Sequence, residues 1–392
     1  MKNLVILGAG FAGFWAAMAA RRVGGDLLNI TLVSRDPILQ MRPRLYEANP
    51  ETLGMDISDL LNKVDINFRA GEIQSLDLDA RTVSLESGEA ITWDALVVAT
   101  GSVMRRPRIS GANDVWSIDN QAEAIEFDRR LAEIAGQSSS PCMIVVGAGF
   151  TGIELALELP SRLAAHGHDL AAQPPRIILL DRATEVGPRL GAGPRPVIED
   201  ALRTGSVELM LGMDIKTMTP TSVTLANGTV LQADAVILNT GLEAAPFTAQ
   251  IPGDRDGAGR IIADRYLAAP STPGIFVTGD SAAADTGDGR ITAMSCQHAL
   301  QTGRFAGENA ARFLLGEDLI AYEQLRYVTC LDLGDAGAVF TTGWDRKVEL
   351  TGSEAKARKQ MINRQIIYPP AEATREEILA QSHINPEKRS SG

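Results

Sequence analysis

Two glycine patterns in this chain have the spacing to hold phosphate. Gly8-Ala9-Gly10-Phe11-Ala12-Gly13 follows the apolar run Leu4-Val5-Ile6-Leu7, and Gly147-Ala148-Gly149-Phe150-Thr151-Gly152 follows Met143-Ile144-Val145-Val146. In such a turn the first glycine lets the chain leave a strand tightly. The second lets backbone approach a pyrophosphate, and the third lets the next helix pack closely on the strand. The helix N-terminus then offers free N–H groups and partial positive charge. A single G-x-G-x-x-G is weak evidence. Two in matching contexts point to two dinucleotides, and a chain that holds two is suited to passing electrons between them.

The elements that must position these turns also occur twice. Phe14 to Ala20 reads as a buried helix behind the first turn, ended by Arg21-Arg22. Asn29 to Val33 alternates as a second strand and ends at Ser34-Arg35-Asp36. Arg69 to Val83 and Glu89 to Ala99 read as hairpin strands, with a buried strand running into Ala99-Thr100-Gly101. Met104 to Pro107 is a linker rich in Arg and Pro. The second unit repeats the order: a helix through Glu158 that Pro160 kinks or ends, a polar insertion Ser161 to Pro175, a strand Arg176 to Asp181, and a hairpin over Val223 to Val230. The strand Ala233 to Leu238 then runs into Asn239-Thr240-Gly241. This is an internal repeat of about 140 residues. Gly274 to Asp280 is a short strand ending in Gly-Asp, a helix is expected from Met294 to Leu315, and Ser382 to Gly392 is a polar, disordered end.

Composition bounds the partners. The chain has 392 residues, 45% of them hydrophobic, 37 glycines and a net charge of −12, which fits a turn-rich α/β protein of two domains plus an extension. An acidic surface argues against nucleic acid. Cys142, Cys296 and Cys330 are too few and too scattered for a disulfide framework or a metal site, which fits a reducing cytoplasm. Met1-Lys2-Asn3 leads directly into the first strand, so neither a signal peptide nor a membrane span is expected.

Together the two glycine turns, Ala99-Thr100-Gly101, Gly279-Asp280, the run Gln297 to Gly303 and the segment Met41 to Glu47 resemble the FAD-dependent pyridine nucleotide oxidoreductases, and among them the type II NADH dehydrogenases. The resemblance covers residues 1 to 315 well and the rest loosely. It implies two Rossmann-like domains. An FAD-binding domain takes 1–107 and 245–318, an inserted NAD(P)H-binding domain takes 108–244, and a smaller α+β region takes 319–392.

The resemblance also implies roles. The first turn (Gly8, Gly10, Phe11, Ala12, Gly13) would hold the FAD pyrophosphate, with Ser34, Arg35, Arg42, Ala99, Thr100, Gly101 and Gly279 around the cofactor. Asp280 would accept hydrogen bonds from the ribityl chain. Gln297 would lie near the flavin pyrimidine edge, where the acceptor docks, and its helix N-terminus would stabilise negative charge there. The second turn (Gly147, Gly149, Gly152), with Thr240 and Gly241, would hold NADH. Asp181 would bond the adenosine ribose and repel a 2′-phosphate, favouring NADH, although the adjacent Arg182 could partner one. Glu154, which shares a helix face with Glu158, would reach toward nicotinamide and flavin.

Three departures stand out. Gly152 to Asp181 spans 29 residues (181 − 152), the excess falling in the polar insertion. Ser34 occupies the place of the ribose-binding acid, 21 residues after Gly13 (34 − 13). Cys296 replaces the usual alanine and reads as a small buried residue. No Cys-x-x-Cys or Cys-x4-Cys pair exists, which excludes thioredoxin- or glutathione-type reductases; a sulfide-oxidising role would have to use Cys296 and Cys330.

The resemblance makes a quinone the leading acceptor. A ferredoxin-like protein, a small metabolite, or a redox-sensing role without turnover stays open, as does a homodimer. A helix over Glu354 to Ile367, with Met361, Ile362 and Ile366 near Lys356, Arg358, Lys359 and Arg364, either packs on the body or docks on anionic lipid. The protein is therefore expected in the cytoplasm, free or peripheral on the inner face of the membrane.

Overall fold

Strands buried on both faces read as continuous apolar runs, and here such runs build two parallel sheets. The structure, a computed structural model, describes residues 1–384. Its first sheet orders the strands Ile275–Val277, Ala95–Val98, Lys2–Leu7, Leu28–Ser34 and Asn67–Ala70. The second orders Trp116–Ser117, Ala235–Leu238, Cys142–Val146, Arg176–Leu180 and Val207–Met210. In each, the first strand of the unit is central, and the helix after the glycine turn crosses to the parallel neighbour. Those helices are Phe11–Gly24 and Phe150–Ala165. Each sheet also carries a three-stranded antiparallel meander, Ile73–Asp77/Thr82–Leu85/Ala90–Thr92 and Ile215–Thr219/Ser222–Leu225/Val230–Gln232. The expected hairpins are thus three-stranded, and Arg69 and Ala95 to Val98 belong to the parallel sheet instead.

The chain passes between the two sheets twice. The passages pair with each other: Ser102–Met104 runs antiparallel to Leu242–Ala244. Met104, expected in a linker, therefore lies in a strand. A further three-stranded sheet, Val328–Asp332/Ala338–Thr342/Lys347–Thr351, is backed by the helix Gly352–Met361.

Three expectations change. The second glycine helix does not stop at Pro160 but runs to Ala165. Proline costs one helical hydrogen bond, but Leu159, Arg162 and Leu163 are buried on either side of it. Arg162 is anchored by Asp128 at 2.6 Å and lies over the Phe127 ring, so tertiary contacts carry the helix through. The helix expected over Glu354 to Ile367 ends at Met361 and continues as a π-turn, Ile362–Ile366. Finally, Ser382 is fully buried and accepts from Arg22 Nε at 3.1 Å, so the packed structure reaches past the expected start of a disordered end. Residues 385–392 lie outside the described residues.

The helix Cys296–Leu315 crosses the first glycine helix very closely. A Cβ on Gly303 would overlap the backbone of Ala12, and one on Gly307 the backbone of Ala16. Backbone cannot yield as a side chain tip can. Gly307→Val is therefore expected to cost about 3 kcal/mol or more, read as a lower denaturant midpoint. Gly136→Ala, inside a helix with open space around it, should be neutral or stabilising by up to ~1 kcal/mol. Equal midpoints for the two variants would remove this account of the crossing.

Candidate functional site

The two glycine turns are near-superimposable in their constraints. Gly8 and Gly147 sit at φ +104° and +112°, where an L side chain is strained. A Cβ on them would strike the carbonyls of Ala99 and Asn239 respectively. A Cβ on Gly13 would strike Gly8, and one on Gly152 would strike Gly147. Only the middle glycines, Gly10 and Gly149, face open space. Both following helices also begin without a side-chain cap, whereas the helix at Cys296 is capped by Ser295. The first N–H groups of these helices are thus left for a ligand. A cradle closed by backbone on two sides and open at the helix mouth fits a pyrophosphate, and the chain has two.

Around the first cradle, Ala99, Thr100 and Gly101 lie against the turn that begins at Gly279. Gly101 N–H donates to Ser281 Oγ at 3.0 Å, and the Thr100 and Ser281 hydroxyls are 3.2 Å apart. Gly279 N–H donates to Thr302 Oγ1 at 3.0 Å. Asp280 accepts from Ser102 Oγ at 2.7 Å. Its carboxyl is raised above the usual range by burial, against the opposing pull of Ser102 and Arg42. Arg42 is fixed by Asp119 at 2.6 Å and by Ser102 at 3.1 Å, so the segment expected beside the flavin does stand by Asp280. Ser34 ends its strand half-buried. Arg35 is exposed and reaches Glu72 at 3.5 Å.

At the second cradle, the Asp181 carboxylate accepts from Ala148 N–H at 2.6 Å and from Ala183 N–H at 2.8 Å. It is therefore tied into the glycine turn itself, with exposed Arg182 beside it. Thr240 Oγ1 donates to the Arg105 carbonyl at 2.6 Å, which joins the second Thr-Gly element to the crossing strands.

Glu154 is not a solvated helix carboxylate. It is 3% exposed, accepts from Lys359 Nζ at 2.7 Å, and accepts from Asp332 N–H at 3.0 Å. Burial pushes its pKa up to about 7, although Lys359 pulls the other way. Lys359 Nζ also donates to the Cys330 carbonyl at 3.1 Å and sits 5.4 Å from the Phe150 ring, next to the second cradle. Burial lowers the Lys359 pKa, but Glu154 more than offsets that. Asp332 in turn holds Tyr46 Oη at 3.2 Å and Lys356 Nζ at 2.5 Å. Glu158 is likewise raised to about 7, chiefly by burial and by Asp332.

Sequence reasoning missed Lys359 and Asp332. It left the helix carrying Lys356 and Lys359 either packed on the body or docked on lipid, and both lysines are spent on internal carboxylates. The overlooked signal was spacing: Ala355 and Lys359 are four apart, so they share the buried helix face.

Cys296 opens the helix that Ser295 caps. Its thiol is pushed up to about 11 by burial, as is that of Cys330. Both stay protonated at neutral pH, so neither is a ready nucleophile; Cys330 is buried and Cys296 half-buried. Gln297, half-buried, bonds Arg326 O and Val328 N–H at 3.4 and 3.3 Å. His298 is buried and pushed down to about 4, so it is neutral near pH 7. No group of His, Cys, Asp and Glu among the described residues could hold a metal ion, and no helix among them is long and apolar enough to cross a membrane.

An NADH dehydrogenase-like protein of Mycobacterium tuberculosis is 38% identical over 97% of this chain and 98% of its own. A type II NADH:quinone oxidoreductase of Staphylococcus aureus is 25% identical, over 94% and 95%. Among solved structures, the sulfide:quinone oxidoreductase of Aquifex aeolicus superposes with a TM-score of 0.75 at 21% identity, covering 93% of this chain and 90% of that one. The family pattern for pyridine nucleotide-disulphide oxidoreductases, whose members bind FAD and NAD(P)H, matches residues 2–303, and the chain belongs to that family.

Proposed function

We propose that the protein is an FAD-dependent NADH dehydrogenase that passes two electrons on to a quinone-like acceptor. The observation that carries this reading is the doubled cradle, closed on two sides by backbone and open only at Gly10 and Gly149. FAD at the first cradle would supply the two-electron chemistry, and the side chains supply binding, orientation and electrostatics. Asp280 and the Arg42–Asp119 pair order the flavin end, and the N-terminus of the Cys296 helix faces it with partial positive charge. Glu154 lies on the nicotinamide side, and with a pKa of about 7 it can hold or release a proton near neutrality. Gln297 marks the acceptor side. The quinone is favoured by likeness to the type II relatives and by two thiols too basic for sulfide chemistry.

The test is anaerobic mixing of the yellow protein with NADH or NADPH, followed by menadione. NADH should bleach the flavin at least about tenfold faster than NADPH, and menadione should restore the colour within the turnover time. Asp181→Ala should narrow the nucleotide preference. Bleaching that menadione does not reverse would overturn the quinone reading, and an unchanged preference would remove Asp181 from nucleotide choice.

A further inference from the structure

Arg42 stands between two carboxylates and is paired with one of them. Its Nη2 is 2.6 Å from Asp119 Oδ1, and its Nε donates to the Asp119 carbonyl at 2.9 Å. The remaining nitrogen, Nη1, donates to the carbonyl and to the hydroxyl of Ser102, each at 3.1 Å. Ser102 Oγ in turn donates to Asp280 Oδ2 at 2.7 Å. The guanidinium therefore lies one hydroxyl away from Asp280. Asp280 itself forms no ion pair among the described residues.

That spacing matters for a carboxylate expected to accept from ribityl hydroxyls. Its two oxygens offer about four lone-pair directions, of which Ser102 uses one. A guanidinium seated directly on Asp280 would take two more as a parallel fork, leaving little for a polyol chain. Burial raises the Asp280 carboxyl, and Ser102 and then Arg42 oppose that rise. Held one hydroxyl off, Arg42 thus favours the charged form without covering the oxygens.

The group that holds it there comes from the other unit. Asp119 follows the strand Trp116–Ser117 of the second sheet, and the helix Gln121–Gln137 begins just after it, capped by Asn120. Its second oxygen, Oδ2, accepts from Met104 N–H at 2.8 Å on the crossing strand. Gln121 N–H donates back to Gln40 Oε1 at 3.1 Å. Where the second unit seats therefore decides where Asp119 meets Arg42.

We propose that Asp119 is a positioning residue for the flavin: from across the domain boundary it holds Arg42 off Asp280 and keeps that carboxylate open to the ribityl chain. This rests on the reading that FAD occupies the first cradle. Without the Asp119 charge, the guanidinium swings past Ser102 onto Asp280. FAD binding and the seating of the second unit then favour each other, because such coupling is reciprocal.

The experiment titrates FAD into flavin-free protein, followed by quenching of flavin fluorescence, with far-ultraviolet dichroism as the check on folding. Asp119→Asn keeps an oxygen for Met104 N–H but loses the charge on Arg42, and should weaken FAD at least about tenfold. Asp119→Glu retains a carboxylate and should stay within about threefold of the parent. Adding Arg42→Met to Asp119→Asn should recover most of the loss, because no cation is left to cover Asp280. A purely structural role for Asp119 predicts the reverse, since the double variant gives up further contacts. Asp119→Asn that binds FAD like the parent, or a double variant that stays about tenfold weaker than the parent, would each overturn the proposal. A parent that binds no FAD would instead overturn the electron-transfer reading itself.

Discussion

Gly10→Val is expected to give a folded, colourless protein. The middle glycine of the first cradle is the one position there where added atoms meet nothing of the protein within 4 Å. Its φ of −73° is open to any residue. The valine branches would instead fill the helix mouth, where the FAD pyrophosphate would approach the backbone N–H groups. FAD affinity should fall by at least about 100-fold, equivalent to ~3 kcal/mol, with far-ultraviolet dichroism unchanged. Gly13→Ala is the contrasting variant, because its single methyl would strike the Gly8 carbonyl and should lower stability as well. Gly149→Val carries the same argument to the second cradle: the protein should stay yellow but no longer be bleached by NADH. Stoichiometric flavin in Gly10→Val would show that the pyrophosphate lies elsewhere.

The same glycines explain why so much of the fold was legible beforehand. A position that backbone crowds on two sides tolerates only glycine, so the duplicated turns are visible as residue types. Strands buried on both faces stand out as unbroken apolar runs. What stayed hidden depends on partners far away in sequence. Pro160 reads as a kink or stop in its helix until Arg162 finds Asp128. The resemblance points Glu154 toward the cofactors, but nothing in the sequence pairs it with Lys359, 205 residues later. The basic residues after Gly352 read as one cluster that either packs on the body or faces lipid, yet Lys359 is buried while Arg364 is exposed on the π-turn that follows. Charge composition could not separate the two; helical register could. The resemblance expects Asp181 at the nucleotide, while its bond to Ala148 N–H could be seen only in three dimensions.

Lys359→Met should expose how much of the molecule's stability depends on that closure. Methionine keeps the length and apolar stem but removes the ammonium, leaving Glu154 buried with Asp332 N–H as its remaining described donor. Breaking a buried ion pair from one side costs about 3–5 kcal/mol, because the surviving charge is left unpaired. The loss should depend on pH in a fixed direction. Glu154 already titrates at about 7 in the folded protein, above its ordinary 4.5, and removing Lys359 pushes it higher. A carboxyl whose folded pKa is raised contributes stability that is fully present below the unfolded value and is lost as pH rises through the folded one. The variant should therefore lie close to the parent near pH 4.5 and fall progressively behind it by pH 8, as read from denaturant midpoints of the FAD-loaded proteins. Glu154→Leu combined with Lys359→Met replaces both charges by apolar groups and should recover most of the pH 8 loss. A deficit equal at both pH values, or a double variant no more stable than the single one, would mean that Lys359 acts through packing and not through its charge on Glu154.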